Sequence, residues 1–109
     1  MINVTIFKDS CKQYKAFSIL GHAEYAEAGS DIICASVSVL GINTINAIEK
    51  FTDDDITVNI DENSGLLTLS FENTVSSESK LLVDTMLLGL EDIATSYGDT
   101  YIKISYKEV

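Results

Sequence analysis

The stretch IICASVSVLGINTINAIEKF, residues 32–51, decides the fold of this chain. Its first half alone, rich in β-branched side chains, would also fit a buried strand. The whole stretch is longer than a strand usually is, and one set of mostly apolar positions recurs every three or four residues, as on one face of a helix: Ile33, Val37, Leu40, Thr44, Ile48 and Phe51. We therefore predict a long helix that follows an N-cap at Asp31 and ends at Phe51.

Alternating segments lie on both sides of this helix. Apolar and polar residues alternate over residues 2–8 and 14–20, and the polar sequence DSCKQ between them predicts a turn. Two further alternating segments, residues 56–60 and 66–71, are joined by DENSG, which suits a tight connection. The sequence thus predicts one hairpin before the helix and one after it.

A second helix and a last strand complete the pattern. Residues 76–97 carry an apolar stripe, with Ser76 or Ser77 as a plausible N-cap and Gly98 as a terminator. The stripe consists of Leu82, Met86, Leu90, Ile93 and Tyr97. Residues 100–106 alternate again and predict an edge or inserted strand. The order ββαββαβ indicates an α+β fold in which both helices pack on one face of a mostly antiparallel sheet.

Composition limits the classes of function. The chain has 109 residues, no proline and no Gly/Ser linker, so we treat it as one domain. Seventeen acidic residues against seven basic ones give a formal charge of −10, which opposes direct binding to nucleic acid or to an anionic membrane. The N-terminal sequence does not resemble a signal peptide, and we expect a cytoplasmic protein. The acidic surface would attract a basic partner, although such surfaces also serve solubility alone.

The only histidine, His22, precedes Cys34 by a short loop and part of a helix. If Asp31 caps the helix, Cys34 lies in its first turn, where the helix dipole and free N–H groups stabilise a thiolate. Neighbouring carboxylates raise the pKa of a thiol, so a positive partner is needed. His22 could supply it by folding back as general base, later protonating the leaving amine, while first-turn N–H groups hold the oxyanion.

Three further residues are candidates for supporting roles. Asp31 could orient the imidazole of His22, but we expect it to cap the helix. Ser38 lies one turn after Cys34 and could bond to the thiol or line the site; it could equally pack closely or bond to its own helix. Gly21 would let the loop flex. The alternative to catalysis is that Cys34 is a small core residue and the histidine is merely solvated.

No cofactor or metal is expected. Cys11 and Cys34 belong to no CxxC pair, and a disulfide is not expected in the cytoplasm. A zinc site at His22 and Cys34 would need its remaining ligands from carboxylates such as Asp31 or Glu24.

The run GHAEYAEAGSDIICASVS, residues 21–38, resembles the signature of the ribosomal-processing cysteine protease family of small bacterial proteins. The matching positions are Gly21, His22, Ala23, Gly29, Asp31, Ile32, Cys34, Ala35, Val37 and Ser38. The chain length, the predicted element order and the TMLLGLEDIA helix are also similar to the family. The resemblance implies a single protease domain over residues 1–109, with Cys34 as nucleophile and His22 as base.

The resemblance further implies an endopeptidase that removes the short N-terminal extension of a basic large-subunit ribosomal protein during ribosome maturation. Family members cut after apolar and aromatic residues, and they are similar in being homodimers with a flexible loop over the site, here residues 21–30. Unused apolar helix positions such as Ile42 and Ile45 hint at extra buried surface. The competing hypothesis is a non-enzymatic acidic module that binds a basic ribosomal protein or assembly factor.

Overall fold

The computed structural model describes residues 1–21, 28–98 and 100–109, and of residues 28–31 it describes the backbone alone. Five strands and two helices follow one another in the order predicted from the sequence. They are β1 (Ile2–Lys8), β2 (Tyr14–Leu20), α1 (Ala28–Phe51), β3 (Ile56–Asp61), β4 (Leu66–Phe71), α2 (Ser77–Tyr97) and β5 (Ile102–Glu108). The predicted α+β class and the order ββαββαβ are confirmed.

The five strands form one sheet in the spatial order β3-β4-β2-β1-β5. Strand β1 pairs with β2 on one side and with β5 on the other, so that Val4 lies opposite both Ile19 and Ile104. The β1–β5 pair is parallel, and every other pair is antiparallel. Strand β5 therefore lies at an edge, where it begins two residues later than the alternation predicts.

The two helices cover one face of the sheet and leave the other polar. Alternate residues of β1 show this division: Val4 is fully buried, whereas Asn3 is exposed. The covered face and the helices share one apolar core. Its members include Ile2, Val4, Ile6, Phe17, Ile19, Leu67, Leu69, Phe71 and Ile102 from the strands, and Ile33, Val37, Ile45, Ile48, Val83, Met86, Leu87 and Leu90 from the helices. The predicted packing of both helices on one face is confirmed.

Helix α1 begins at Ala28, and the predicted start after Asp31 is wrong. Asp31 lies inside the helix and is not its N-cap, because the small residues of positions 28–30 continue the helical backbone upstream. Only the first four N–H groups of an α-helix lack an acceptor within the helix. Cys34 lies beyond these groups, in the second turn.

Residues Ile32–Phe51 of α1 are long and apolar enough to cross a membrane, with a mean hydropathy of 1.5. In the structure this segment buries Ile33, Val37 and Ile48 against the sheet. Of its most apolar window 33% is buried inside the fold, so core packing accounts for part of its composition. Ile45 is buried as well, at 3% exposure, so the expectation that it offers spare apolar surface is wrong.

Helix α2 is fixed at both ends by residues that the sequence indicated. The Ser76 hydroxyl accepts a hydrogen bond from the Ser79 N–H at 3.1 Å, which is the N-cap geometry. Asp54, in the connection after α1, accepts hydrogen bonds from the Ser76 N–H at 3.1 Å and hydroxyl at 2.6 Å. At the other end, the Gly98 N–H donates to Ala94 O at 2.9 Å, with φ +86°. The predicted cap and terminator are confirmed.

A polar contact joins the sheet to α2. The buried Tyr14 of β2 donates a hydrogen bond to the carboxylate of Asp84, which also pairs with Lys80 at 2.8 Å. Burial and this hydrogen bond raise the pKa of Tyr14 well above its usual value. For Asp84, partial burial acts in the opposite direction, but the bonds from Lys80 and Tyr14 lower its pKa overall. The contact therefore favours a neutral phenol and a charged carboxylate.

Candidate active site

A cavity of about 270 Å³ lies where α1 meets the end of β2 and the β3–β4 hairpin. Three of the predicted site residues line it together: Gly21, Cys34 and Ser38. The remaining lining residues are Ile2, Ile19, Val37, Ile42, Ile60, Asp61, Glu62, Gly65, Leu66 and Leu67. His22 lies outside the described residues, and so does the side chain of Asp31.

Cys34 presents a free thiol to this cavity. It is half-buried and packs against the apolar core, so it is neither walled off in the interior nor fully exposed. Its Cα lies about 9 Å along the axis from the start of α1, at 1.5 Å per residue. The helix dipole acts mainly within the first turn. The first-turn N–H groups that were predicted to activate Cys34 are therefore not the ones next to it.

Ser38 is exposed and lies four residues after Cys34 on the same side of α1. Both side chains reach the cavity, which agrees with the helical spacing that the sequence indicated. Ser36, two residues earlier, instead donates its hydroxyl to Ile32 O at 2.8 Å along the helix. The two serines thus lie on different sides of α1, since Ser36 lines the groove between the helices.

Gly21 directly follows β2 and has a φ of +119°, a value that L side chains rarely adopt. A Cβ atom added there would lie 2.4 Å from Met1 O, and the Gly21 N–H donates to Gly65 O at 3.2 Å. Glycine is needed because the backbone turns in close contact with β1. Sequence reasoning assigned Gly21 flexibility, whereas the structure gives it a fixed, tightly packed position. His22 follows it directly in the chain.

The rest of the cavity wall is apolar or acidic, and sequence reasoning did not place its residues at the site. Ile42 and Ile60 are 43% and 56% exposed, and both line the cavity. Asp61 and Glu62, at the end of β3, bring two carboxylates to it. The signals in the sequence were the unused apolar position Ile42 and the acidic turn DENSG, which was interpreted as a hairpin connection. The cavity thus combines a thiol, apolar side chains and negative charge.

The described side chains offer no metal centre. Within residues 1–21, 32–98 and 100–109, no group of three His, Cys, Asp or Glu side chains comes close enough to bind an ion. The second cysteine, Cys11, is exposed in the β1–β2 turn, where Asp9 accepts its N–H at 2.8 Å. It does not line the cavity.

A family model described as Cysteine protease Prp matches residues 1–103. The chain belongs to the cysteine protease Prp family. The resemblance drawn from residues 21–38 is thereby confirmed. A ribosomal processing cysteine protease Prp of Staphylococcus aureus is 34% identical to this Prp family member over 87 residues, which cover 80% of this chain and 81% of the relative.

Solved structures of the Prp family share the fold. A Prp protease from S. aureus in complex with a substrate peptide superposes with a TM-score of 0.90 at 30% identity. The S. aureus protease with a covalently linked product peptide gives a TM-score of 0.88 at 32% identity. Each comparison covers 98% of this chain and 100% of the other. The relatives of this fold therefore bind peptides, one of them through a covalent link.

Proposed function

We propose that this chain is a cysteine endopeptidase that removes the short N-terminal extension of a basic large-subunit ribosomal protein during ribosome maturation. The observation that carries the proposal is the free, half-buried thiol of Cys34 in a cavity, within a chain that the cysteine protease Prp model matches over residues 1–103. A thiol with access to a cavity meets the first requirement for nucleophilic attack on a peptide carbonyl.

In the proposed reaction, His22 removes the thiol proton and the sulfur of Cys34 bonds to the carbonyl carbon of the scissile peptide. Collapse of the tetrahedral intermediate breaks the C–N bond, and His22 gives its proton to the leaving amine. Water then attacks the thioester with His22 again as base, which releases the new carboxylate and the thiol. Support for His22 is that it follows Gly21, a residue of the cavity wall, directly in the chain.

Asp31 and Ser38 are assigned supporting roles in this reaction. Because α1 starts at Ala28, the capping role of Asp31 falls away, and we assign its carboxylate to orienting the His22 imidazole. Ser38, on the cavity side of α1, contributes a hydroxyl beside Cys34. No cofactor takes part in this scheme.

The charge and lining of the cavity support the proposed substrate. Ile42, Ile60 and Leu66 suit the apolar and aromatic side chains expected before the cut. Asp61 and Glu62, together with a net charge of −10, favour a chain that is basic beyond it. A cytoplasmic location fits two free cysteines, because thiols stay reduced there.

A synthetic peptide that spans the extension and the cut tests the function directly. The parent protein should cleave it at one bond, with an acyl adduct on Cys34 detectable by intact mass. Cys34→Ala should abolish cleavage, and Cys34→Ser should bind the peptide while turning over very slowly, because a hydroxyl is much harder to deprotonate. Cys11→Ala is the matched control and should cleave like the parent. Undiminished cleavage by Cys34→Ala or His22→Ala would contradict the assigned roles.

We also propose that the protein is a homodimer through the outer faces of α1 and α2. Val39 and Leu88 are 65% and 70% exposed on these helices, and Ile32 and Leu81 are exposed with them. Between the helices lies a shallow apolar groove bordered by Val39, Leu40 and Ile93. Such a surface suits a self-association interface. Light scattering should give twice the chain mass for the parent and the mass of a monomer for Leu88→Lys. Asn3→Lys, on the polar face of the sheet, is the control and should remain a dimer. A monomeric parent would refute the proposal.

A further inference from the structure

We propose that the substrate residues before the scissile bond bind as an added strand along the free edge of β3. The proposal rests on the proposed peptidase function and specifies how the enzyme holds its substrate. It makes the backbone of β3 the main contact of the substrate backbone, and it leaves side-chain recognition to the cavity.

Strand β3 ends the sheet, and no described strand pairs with its outer edge. In an antiparallel ladder, residues alternate between those that bond to the partner strand and those whose N–H and C=O point away from it. The Glu72 N–H donates to Asp55 O at 2.9 Å, so the Asp55–Glu72 pair bonds across the β3–β4 ladder. Counting in register from this pair, Thr57, Asn59 and Asp61 also bond toward β4.

The alternation leaves three residues with their backbone groups on the free edge: Ile56, Val58 and Ile60. The side chains of Ile56 and Val58 pack on the apolar core and thus face the helices. Ile60 shares this face by the period of two and reaches the cavity that Cys34 lines. The backbone N–H and C=O of Ile60 therefore point to the free edge of the sheet, while its side chain lines the cavity that contains Cys34.

An added strand at this edge would place substrate side chains where the chemistry needs them. Alternate side chains of the added strand would fall on the helix side, toward Ile42 and the cavity, and the others would face solvent. Backbone pairing is independent of side-chain identity, while pockets for alternate side chains give specificity. An extended peptide bound in this way also presents its carbonyl groups in a regular, accessible register.

Charge selects the occupant of the edge. Asp53 and Asp55 precede β3, Asp61 is its last residue, and Glu62 follows it. Pairing two copies of this edge would bring like charges together, which is unfavourable, whereas a substrate chain that is basic beyond the cut is attracted to this region. The occupant is therefore the uncharged, apolar part of the substrate before the cut and not a second copy of the chain. Relatives of the same fold do bind a peptide substrate.

Single backbone N-methyl groups placed in turn along the substrate peptide test the proposal, because each one removes a donor and blocks strand pairing at that residue. We expect kcat/KM to fall about tenfold or more at every second residue before the cut and to change little at the residues between. A loss that is uniform along the peptide, or absent, would overturn strand addition. Failure of the parent to cleave the unmodified peptide would instead contradict the proposed function. In that case the affinity of each N-methylated peptide for Cys34→Ala is measured by fluorescence anisotropy. Affinities that do not alternate along the peptide would refute strand addition.

Variants of Ile60 provide an independent readout. Ile60→Pro removes the outward N–H, and proline is tolerated on an edge strand where that group faces solvent. Ile60→Val keeps the N–H and loses one methylene, so it is the comparator for the side chain. We expect KM to be about three- to tenfold higher for Ile60→Pro than for Ile60→Val. Equal KM values would count against the strand, and if Ile60→Pro does not fold, the N-methyl scan decides alone.

Discussion

Gly21 and Cys34 line the same cavity, although Gly21 directly follows β2 and Cys34 lies in the second turn of the following helix. The close packing of the Gly21 backbone against Met1 O fixes where the connecting loop leaves the sheet. The residue after Gly21 is the proposed base. The cavity wall next to the proposed base is therefore shaped by a glycine that carries no chemistry of its own.

The first prediction concerns this glycine. Gly21→Ala should lower the free energy of unfolding by more than about 1 kcal/mol, because the new Cβ meets Met1 O and the residue keeps a positive φ. Gly98→Ala is the matched control: its φ is also positive, but nothing lies within 4 Å of the added atom. Chemical denaturation should rank Gly21→Ala well below Gly98→Ala. Equal losses would mean that the contact with Met1 does not matter.

The second prediction concerns thiol reactivity. Cys34 should react with iodoacetamide faster than Cys11 near neutral pH, despite its lower exposure, if a base activates it. The rates can be measured separately in the Cys11→Ser and Cys34→Ser variants across pH. His22→Ala should slow the reaction of Cys34 and leave Cys11 unchanged. Equally slow labelling of both thiols would favour the non-enzymatic binding module over the peptidase.

The third prediction separates the two serines of α1. Ser38→Ala should lower kcat/KM about three- to tenfold, the usual worth of one lost hydrogen bond, because its hydroxyl faces the cavity with Cys34. Ser36→Ala should leave cleavage unchanged, since that hydroxyl bonds to Ile32 O along the helix. Both variants should unfold at nearly the parent temperature. The reverse order of activities would exclude Ser38 from the site.

The fourth prediction is a pH dependence of stability. Partial burial tends to raise the pKa of Asp54, but the hydrogen bonds from Ser76 and Ser79 lower it below the ordinary 3.8. A lowered pKa in the folded state stabilises the protein above pH 3.8 and ceases to do so as pH falls through the folded value. Asp54→Asn should therefore cost about 1 kcal/mol at pH 7, reduced by solvent screening, and progressively less below pH 3.8.

Urea denaturation at several pH values measures this difference, with the exposed neighbour substitution Asp53→Asn as control. A difference between Asp54→Asn and the parent that stays constant from pH 7 to about pH 2.5 would show that the charge of Asp54 does not stabilise the cap of α2.

The fifth prediction uses the contact between Tyr14 and Asp84. Burial and the bond to Asp84 raise the pKa of Tyr14 above its ordinary 10.0, so the contact stabilises the fold below pH 10 and is lost as pH rises further. Tyr14→Phe should lower stability by about 1 kcal/mol at pH 7. The deficit should shrink above pH 10. Tyr97→Phe, at an exposed position, should change stability little at any pH; an equal effect of both variants would contradict the assignment.

The sequence predicted the elements well wherever a periodic pattern was strong. Strands β1, β2 and β4 begin and end where the alternation does, and α1 ends at Phe51 as its stripe indicates. The start of α1 was missed because a capping residue such as Asp31 is only a local preference, and nothing upstream of it stops the helix. This error also moved Cys34 from the first turn to the second.

Only those parts of the candidate site that lie close together in the sequence could be predicted from it. Cys34 and Ser38 share a helix face, so their common position at the cavity follows from spacing. Ile60, Asp61 and Glu62 belong to a hairpin whose placement against α1 depends on the strand order β3-β4-β2-β1-β5. No local pattern in the sequence encodes that order, because it arises from long-range packing.

Strand β1 needs partners made at very different times during synthesis. Its partner β2 follows at once, but β5 emerges from the ribosome only after both helices and the second hairpin. Until then one side of β1 is bonded to water, and closing so long a loop is slow compared with forming the hairpins. A nascent chain thus cannot complete its sheet early. The last strand to be made therefore completes the pairing of one of the first.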